Sequence, residues 1–195
     1  MKVIGLTGGI ASGKSTASAY LRELGAVIVD ADAISRASTR RGGAAFEAVC
    51  AAFGNILGAD GEIDRRKLGG IVFADEDARR KLNSIVHPAV MAESRAQIEN
   101  ARASGVKVCI LDVPLLFETG MEKLCDETWL IYVPREEQIR RMAERDGLDA
   151  AAAAARIDSQ MPLEEKLKRA DVAIDSSGTI EQTREKLRRL WEERT

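Results

Sequence analysis

Five short runs of apolar residues recur along the chain, each with few charges and several β-branched side chains. They are KVIGL at 2–6, AVIVDAD at 26–32, VKVCILD at 106–112, ETWLIYV at 127–133 and ADVAID at 170–175. A strand that is covered on both faces has a continuous apolar sequence rather than an alternating one. Helical patterns separate the runs, and this alternation predicts an α/β fold: a five-stranded parallel sheet with right-handed crossovers, flanked by helices.

The segments between these runs have the periodicity of helices. A helical pattern of apolar residues begins after Lys14 and runs to Leu24, and Gly25 is a suitable C-cap. Residues 43–104 are mostly helical in pattern, with breaks expected near GNILGADGEID and at Pro88. This connection is longer than a crossover needs, which predicts a helical insertion. Charged residues 135–170 and the closing TIEQTREKLRRLWEE also have helical patterns.

The length of 195 residues suits a single domain. We expect a core at about 1–32, 105–134 and 171–195, a helical acceptor-binding insertion at about 33–104 and a helical lid at about 135–170. The net charge of −2 gives no general attraction to nucleic acid or to an anionic membrane. The longest apolar run contains Asp112 and Pro114 and is too short to span a bilayer. Three cysteines without a CxxC spacing indicate reduced thiols, and we expect a cytoplasmic protein.

The stretch GLTGGIASGKST carries the strongest chemical signal in the chain. Gly8, Gly13, Lys14 and Ser15 satisfy the pattern G-x-x-x-x-G-K-[ST] between a predicted strand and a predicted helix. Small residues let backbone N–H groups approach phosphate oxygens, and the helix N-terminus attracts the same anion. The lysine faces the β- and γ-phosphates, and the serine hydroxyl suits Mg²⁺. A plain glycine-rich turn would not require all four positions, so we predict binding of ATP and Mg²⁺ by Gly8, Gly9, Ile10, Ala11, Ser12, Gly13, Lys14, Ser15 and Thr16, with Ser15 on the metal.

Two further groups of charged residues separate a kinase from other P-loop proteins. Asp30 and Asp32 are expected to end the second strand with both carboxylates on one face, able to accept a hydroxyl proton or to help hold the metal. Asp32 could instead be the N-cap of the next helix. Arg141 and Arg145, four residues apart on a helix, could stabilise the charge of a transferring phosphoryl group. The alternative is a solvated helix face with Glu–Arg pairs.

The chain resembles the dephospho-CoA kinases over about residues 3–178. The resemblance rests on GLTGGIASGKST, VDADAISR, DGEIDRRKL, LNSIVHP, DVPLLFE, QIRRMAERDG and ADVAIDSSG, in that order. It implies ATP-dependent phosphorylation of the ribose 3′-hydroxyl of dephospho-CoA to give coenzyme A and ADP, by a monomer or small homo-oligomer acting on small molecules.

The resemblance also assigns roles to individual residues. Asp32 would be the catalytic carboxylate, Arg36 would help with the acceptor, and Lys14 and Arg141 would act in catalysis, with Arg145 on the nucleotide. The other acceptor-binding residues that it implies are His87, Pro88, Leu115 and Glu118.

Two departures from the family pattern stand out. Arg41-Gly42 replaces a frequent Pro-Gly after the helix that follows DAD, and Ser176 replaces a frequent asparagine near the expected adenine position. Other functions remain open. A shikimate-like kinase or a nucleoside monophosphate kinase could use the same scaffold, but HP, PLLFE and the absence of a Gly-Phe-Pro-Arg type motif disfavour both. A GTP-dependent switch would need an Asn-Lys-x-Asp sequence, which the chain lacks, and an ATP-binding module without chemistry would leave the arginines unexplained.

Overall fold

The computed structural model describes residues 1–195 and contains five strands and nine α-helices. The strands are β1 (Lys2–Gly8), β2 (Val27–Asp30), β3 (Val108–Asp112), β4 (Glu127–Tyr132) and β5 (Val172–Asp175). The helices are α1 (Lys14–Glu23), α2 (Ala31–Ser38), α3 (Phe46–Phe53), α4 (Arg65–Ala74), α5 (Glu76–Ala103), α6 (Arg135–Asp146), α7 (Ala150–Asp158), α8 (Leu163–Arg169) and α9 (Ile180–Glu192). A short 3-10 helix occupies Met121–Leu124.

The strands form one sheet in the order β2-β3-β1-β4-β5. β1 pairs in parallel with β3 and β4, and β4 pairs in parallel with β5. The predicted α/β fold with a five-stranded parallel sheet is therefore confirmed. β1 is the central strand, which explains why its residues are almost entirely buried. Because parallel strands end at the same edge, the loops that follow β1, β3 and β4 emerge together.

Helices α1 and α9 pack against the sheet and close one hydrophobic core. Their buried Leu21 and Leu187 meet strand residues that include Ile4, Ile110 and Trp129. α9 begins with a capping box, in which the Thr179 hydroxyl accepts from the Gln182 N–H and the Gln182 side chain accepts from the Thr179 N–H. Such a cap satisfies two N–H groups that a helix start leaves without partners.

The chain divides into two compact units. Residues 1–29 and 98–195 form the sheet unit, and residues 30–97 form the helical unit. No helix is both long enough and apolar enough to cross a lipid bilayer.

Two predictions about local structure are wrong. The second strand ends at Asp30, and Asp32 lies in the first turn of α2 rather than on a strand. The cause is the cap: the Asp30 carboxylate accepts from the Ala33 N–H at 2.9 Å, so Asp30 and not Asp32 begins the helix. Pro88 does not break its helix, since it lies inside α5, which is continuous over 28 residues. Buried Val86 and Val90 flank the proline, and their packing compensates for the single backbone hydrogen bond that proline removes.

Glu127 is the centre of a buried polar cluster at the start of β4. Its carboxylate accepts from the Arg194 guanidinium at 2.6 Å and from the Trp129 indole N–H at 2.9 Å, and it pairs with Lys2. The Arg194 hydrogen bonds, followed by those of Lys2 and Trp129, lower the pKa of Glu127 to about 2 against the opposing effect of burial. The cluster thus fastens the C-terminus of the chain to β1 and β4.

Glu127→Gln is expected to destabilise the protein, with an effect that depends on pH. The folded pKa of about 2 lies below the ordinary 4.5, so this carboxylate stabilises the fold by about 3 kcal/mol at neutral pH. That contribution is complete above pH 4.5 and disappears as the pH falls towards 2. Urea unfolding of both proteins should show a large difference in free energy of unfolding at pH 7 and a much smaller one at pH 3. An equal difference at both values would contradict the proposed role of the charge.

Candidate active site

The loop between β1 and α1 requires glycine at two of its positions. Gly13, the N-cap of α1, has a φ of 83°, in the left-handed region. A Cβ at Gly8 would lie 2.5 Å from the Ser12 Oγ and 2.7 Å from the Ile131 carbonyl oxygen. Ala11 also has a positive φ, 58°, which is uncommon for a residue with a side chain and is typical of functional loops. Residues 8–16 therefore form a tight cradle next to the N-terminus of a helix.

Lys14 is held by a carboxylate on the neighbouring strand. Its Nζ donates to the Asp112 Oδ1, and the two side chains are only 17% and 9% exposed. Asp112 is the last residue of β3, and β1 pairs with β3 so that Leu6 stands opposite it. The lysine thus lies across the ends of the two central strands, where a phosphate chain in the cradle would meet it.

Asp112 is a site residue that the sequence motifs did not identify. A signal was present, because an aspartate ended an otherwise apolar strand predicted to lie beside others in a parallel sheet. Its carboxylate and the exposed Ser15 hydroxyl are both oxygen donors, the ligand type that Mg²⁺ prefers. The donor set therefore fits a magnesium ion, with Ser15 and Asp112 as the residues that would hold it.

Helix α6 packs directly on the cradle through its first two turns. The Gln138 side chain is buried and donates to the Ile10 carbonyl oxygen at 2.7 Å. A Cβ at Gly9 would lie 2.5 Å from the Gln138 Nε2, so this contact also requires a glycine. The sequence did not single out Gln138, because only the tertiary packing of α6 reveals its partner.

Arg141 lies one turn further on and joins the cradle to the loop after β5. Its guanidinium donates to the Ala11 carbonyl at 3.3 Å and to the Ser176 carbonyl at 2.8 Å, while its Nε donates to Glu137 at 2.7 Å. The guanidinium groups of Arg140 and Arg141 lower the pKa of Glu137 to about 2, so Glu137 is ionised at neutral pH. The structure therefore brings Arg141 together with the predicted cradle.

The other predicted arginine of this helix points elsewhere. Arg145 donates to both carboxylate oxygens of Asp146 at 2.8 Å, and its side chain is 62% exposed. The structure does not place it on the cradle.

Ser176 has a structural role that its replacement of an asparagine did not suggest. Its hydroxyl donates to the Ser12 carbonyl at 2.6 Å and lies 3.1 Å from the Tyr132 carbonyl oxygen. It therefore joins the cradle to the end of β4 and to the loop after β5.

A cavity of about 740 Å³ opens beside Gly9, within the sheet unit. We call it the α6–α8 cavity. Its lining combines uncharged residues, among them Tyr132, Val133, Pro134, Gln138, Ile157, Met161 and Leu163, with the charged Arg135, Glu136, Asp158, Glu164 and Lys166. Leu115 and Glu118, predicted to bind the acceptor, lie in the loop that follows β3. Glu118 contacts Met161 and Lys166.

The helical unit carries the other predicted acceptor residues. Asp32 and Arg36 lie one turn apart on α2. His87 lies on α5 with much of its surface open to solvent, yet nearby protein atoms desolvate its ring and lower its pKa below the usual value. A second cavity, of about 550 Å³, lies within this unit and is lined by Arg36, Thr39, Arg40, Glu62, Ile63, Arg65 and Leu68. We call it the arginine cavity, since three arginines line it together with a single acidic residue, Glu62.

A glycine cradle between the central strand and its helix, with the lysine of the cradle on a strand-end carboxylate, is the phosphate-binding arrangement of P-loop nucleotide-binding proteins. The fold agrees, because the chain is similar to a shikimate kinase from Acinetobacter baumannii with a TM-score of 0.56 and 16% identity, covering 98% of this chain and 92% of that one. This likeness concerns the fold alone.

More specific comparisons identify the family. The family model described as dephospho-CoA kinase matches residues 2–182. A dephospho-CoA kinase from Carboxydothermus hydrogenoformans is 53% identical over 188 residues, which cover 96% of this chain and 91% of that protein. The structure of a dephospho-CoA kinase from Campylobacter jejuni is similar with a TM-score of 0.69 and 31% identity, covering 100% of this chain and 97% of that one. The chain belongs to the dephospho-CoA kinase family, so the resemblance identified from its motifs is confirmed.

Proposed function

We propose that this protein transfers the γ-phosphoryl group of ATP to the ribose 3′-hydroxyl of dephospho-CoA, giving coenzyme A and ADP. The observation that carries the proposal is the family match over residues 2–182, because it covers the cradle, the helical unit and helices α6 to α8 together. We further propose that it acts in the cytoplasm on small molecules, as a monomer or small homo-oligomer.

The donor side of the reaction follows from the sheet unit. The cradle and the N-terminus of α1 would bind the phosphates of ATP through backbone N–H groups. Lys14 would move part of its contact from Asp112 to the β- and γ-phosphates, where its charge offsets the charge that develops during transfer. Arg141, already on the cradle, would add a second positive group. The predicted contact of Arg145 with the nucleotide would require its side chain to leave Asp146.

Magnesium would be held by Ser15 and Asp112. There it would supply positive charge that offsets the charge of the phosphates. Asp112 would keep part of its ion pair with Lys14 while it helps to hold the metal. The lysine and the metal would therefore share one carboxylate.

The acceptor side involves Asp32 and the arginine cavity. Asp32 would orient the 3′-hydroxyl and accept its proton as the new O–P bond forms and the bond to the ADP leaving group breaks. Dephospho-CoA carries a diphosphate, and guanidinium groups bind phosphate oxygens with paired, charge-assisted hydrogen bonds. The guanidinium groups of Arg36, Arg40 and Arg65 around one cavity suit such a diphosphate.

Arg40→Gln and Arg65→Gln are each expected to raise the KM for dephospho-CoA by about tenfold or more, since a charge-assisted hydrogen bond contributes about 1.5–3 kcal/mol. The KM for ATP should stay unchanged. Steady-state kinetics with each substrate varied in turn measure both values. Arg66→Gln, on the same helix as Arg65 but outside the cavity lining, is the matched control. Equal effects of all three variants would remove the arginine cavity from the acceptor site.

The test of the function itself is ADP production with ATP and Mg²⁺ and one of four additions: dephospho-CoA, shikimate, AMP or no acceptor. The proposal expects acceptor-dependent ADP only with dephospho-CoA. A response to shikimate or AMP would assign the protein a different acceptor, and ADP formation independent of any acceptor would indicate an ATPase.

A further inference from the structure

Lys166 on α8 is an unusual lysine because it is almost completely buried. Only 1% of the residue is exposed, whereas the side chain of Lys168, two positions along the same helix, is 70% exposed. Removing an ammonium group from water is costly unless a charge partner and hydrogen bonds compensate. An apolar side chain would fill the same space without that cost. The ammonium group, unlike an apolar side chain, can hold specific acceptor groups in fixed positions.

The partners of Lys166 belong to the loop that follows β3. Its Nζ lies 2.9 Å from the Glu118 Oε1 and donates to the Pro114 carbonyl at 3.4 Å. Each of these acceptors serves a second donor. The Glu118 Oε1 also accepts from the Met161 N–H at 3.1 Å, and the Pro114 carbonyl also accepts from the Thr7 hydroxyl at 3.0 Å.

Through these shared acceptors, one ammonium group joins three segments of the sheet unit. Met161 belongs to the connection between α7 and α8, Pro114 stands two residues after Asp112, and Thr7 immediately precedes Gly8 of the cradle. The network therefore runs from the cradle to the segment that carries Met161.

The same segments form walls of the α6–α8 cavity. Gly9, Met161 and Lys166 all line it, and most of its other lining residues are uncharged. Two basic and three acidic residues line the cavity, so its lining has no excess of positive charge to attract a triphosphate. Its position beside the cradle suits an organic group whose hydroxyl must approach the terminal phosphate. Moving the α7–α8 connection would change the shape of this cavity without moving Lys14 or Arg141.

We propose that Lys166 is a positioning residue: by holding Glu118 and Pro114, it fixes the α7–α8 connection so that the α6–α8 cavity has the shape that orients dephospho-CoA beside the cradle. The proposal rests on the proposed function for the identity of the acceptor. Lys166 itself contacts no reacting atom in this scheme. It acts indirectly, because its contacts fix the positions of Met161 and of the loop after Asp112.

Lys166→Met tests the proposal, with Lys168→Met as the matched control on the same helix. Displacement of a substrate by about 1 Å can cost about a hundredfold in rate, so we expect kcat/KM for dephospho-CoA to fall about 10- to 100-fold in Lys166→Met. The KM for ATP should stay within twofold of the wild-type value, and Lys168→Met should behave as the wild type. An equal rise of both KM values, or an unchanged kcat/KM for dephospho-CoA, would overturn the proposal.

A measurement independent of activity is hydrogen exchange of the Met161 amide. The proposal expects its exchange to accelerate in Lys166→Met and to remain at the wild-type rate in Lys168→Met. This readout separates the two proposals, since a wild-type protein inactive on dephospho-CoA would refute the function, whereas unchanged exchange at Met161 would refute the role of Lys166.

If Lys166→Met does not fold, Glu118→Gln provides the second variant. Its amide oxygen can still accept from Lys166 and Met161, but without the negative charge. We expect an intermediate loss of kcat/KM for dephospho-CoA and intermediate exchange at Met161. If Glu118→Gln has the wild-type kcat/KM for dephospho-CoA and the wild-type exchange rate at Met161, the proposal is overturned.

Discussion

Lys14→Met is expected to lower kcat about 100- to 1000-fold, the usual cost of removing one preorganised group that stabilises transition-state charge. Methionine has a similar length and apolar volume, so the substitution removes the ammonium group with little change in packing. Lys14 starts α1 and lies on Asp112, where the phosphates in the cradle would meet its charge. The backbone of the cradle remains, and ATP should therefore still bind, although more weakly.

Steady-state kinetics at saturating ATP, Mg²⁺ and dephospho-CoA measure this effect, and equilibrium binding of ATP to each protein separates affinity from turnover. Lys123→Met, at an exposed position of the 3-10 helix, is a suitable control with the same chemical change. Circular dichroism should confirm that both variants fold. A Lys14→Met variant with a kcat close to that of Lys123→Met would exclude the lysine from the chemical step.

Asp32→Asn is expected to have an effect of comparable size, since a positioned acid or base contributes about 10²- to 10⁴-fold to the rate. Asparagine preserves the shape of the side chain but accepts no proton from a hydroxyl. The transition state of phosphoryl transfer is loose, so much of the loss should come from poorer orientation of the 3′-hydroxyl. The KM for ATP should change little.

Asp30→Asn is the informative comparison, because the two aspartates are two residues apart and only one caps α2. The Asp30 carboxylate accepts from the Ala33 N–H, and asparagine caps a helix about as well as aspartate. Asp30→Asn should therefore retain most of the activity and stability, whereas Asp32→Asn should lose most of the activity. The assignment of Asp32 as proton acceptor fails if Asp32→Asn turns over as fast as Asp30→Asn.

The fold and the cradle could be predicted because their signals are local. A buried parallel strand has a continuous apolar sequence, and a phosphate cradle needs small residues at fixed spacings, as Gly8 and Gly13 illustrate. The sequence pattern predicts an end of β2 that is two residues too late, and the reason is physical. Asp30 and Asp32 are equally polar, and which of them caps the helix depends on the backbone conformation at the end of the strand.

The residues that the sequence did not reveal take their roles from tertiary contacts. Asp112 becomes a site residue only when β3 lies beside β1 and Lys14 reaches it. Gln138 and Lys166 are ordinary polar residues on amphipathic helices until packing buries them against the cradle and the loop after β3. Partners that lie 48 or more positions apart, such as Lys166 and Glu118, leave no pattern in a single sequence.

A single-turnover reaction with ATP that carries a radioactive γ-phosphate most directly tests the central claim. With protein in excess over dephospho-CoA, the label should appear in the acceptor as a phosphomonoester at the ribose 3′ position, at a rate that Lys14→Met and Asp32→Asn both reduce strongly. Label found only as inorganic phosphate, or attached to a different position of the acceptor, would contradict the account.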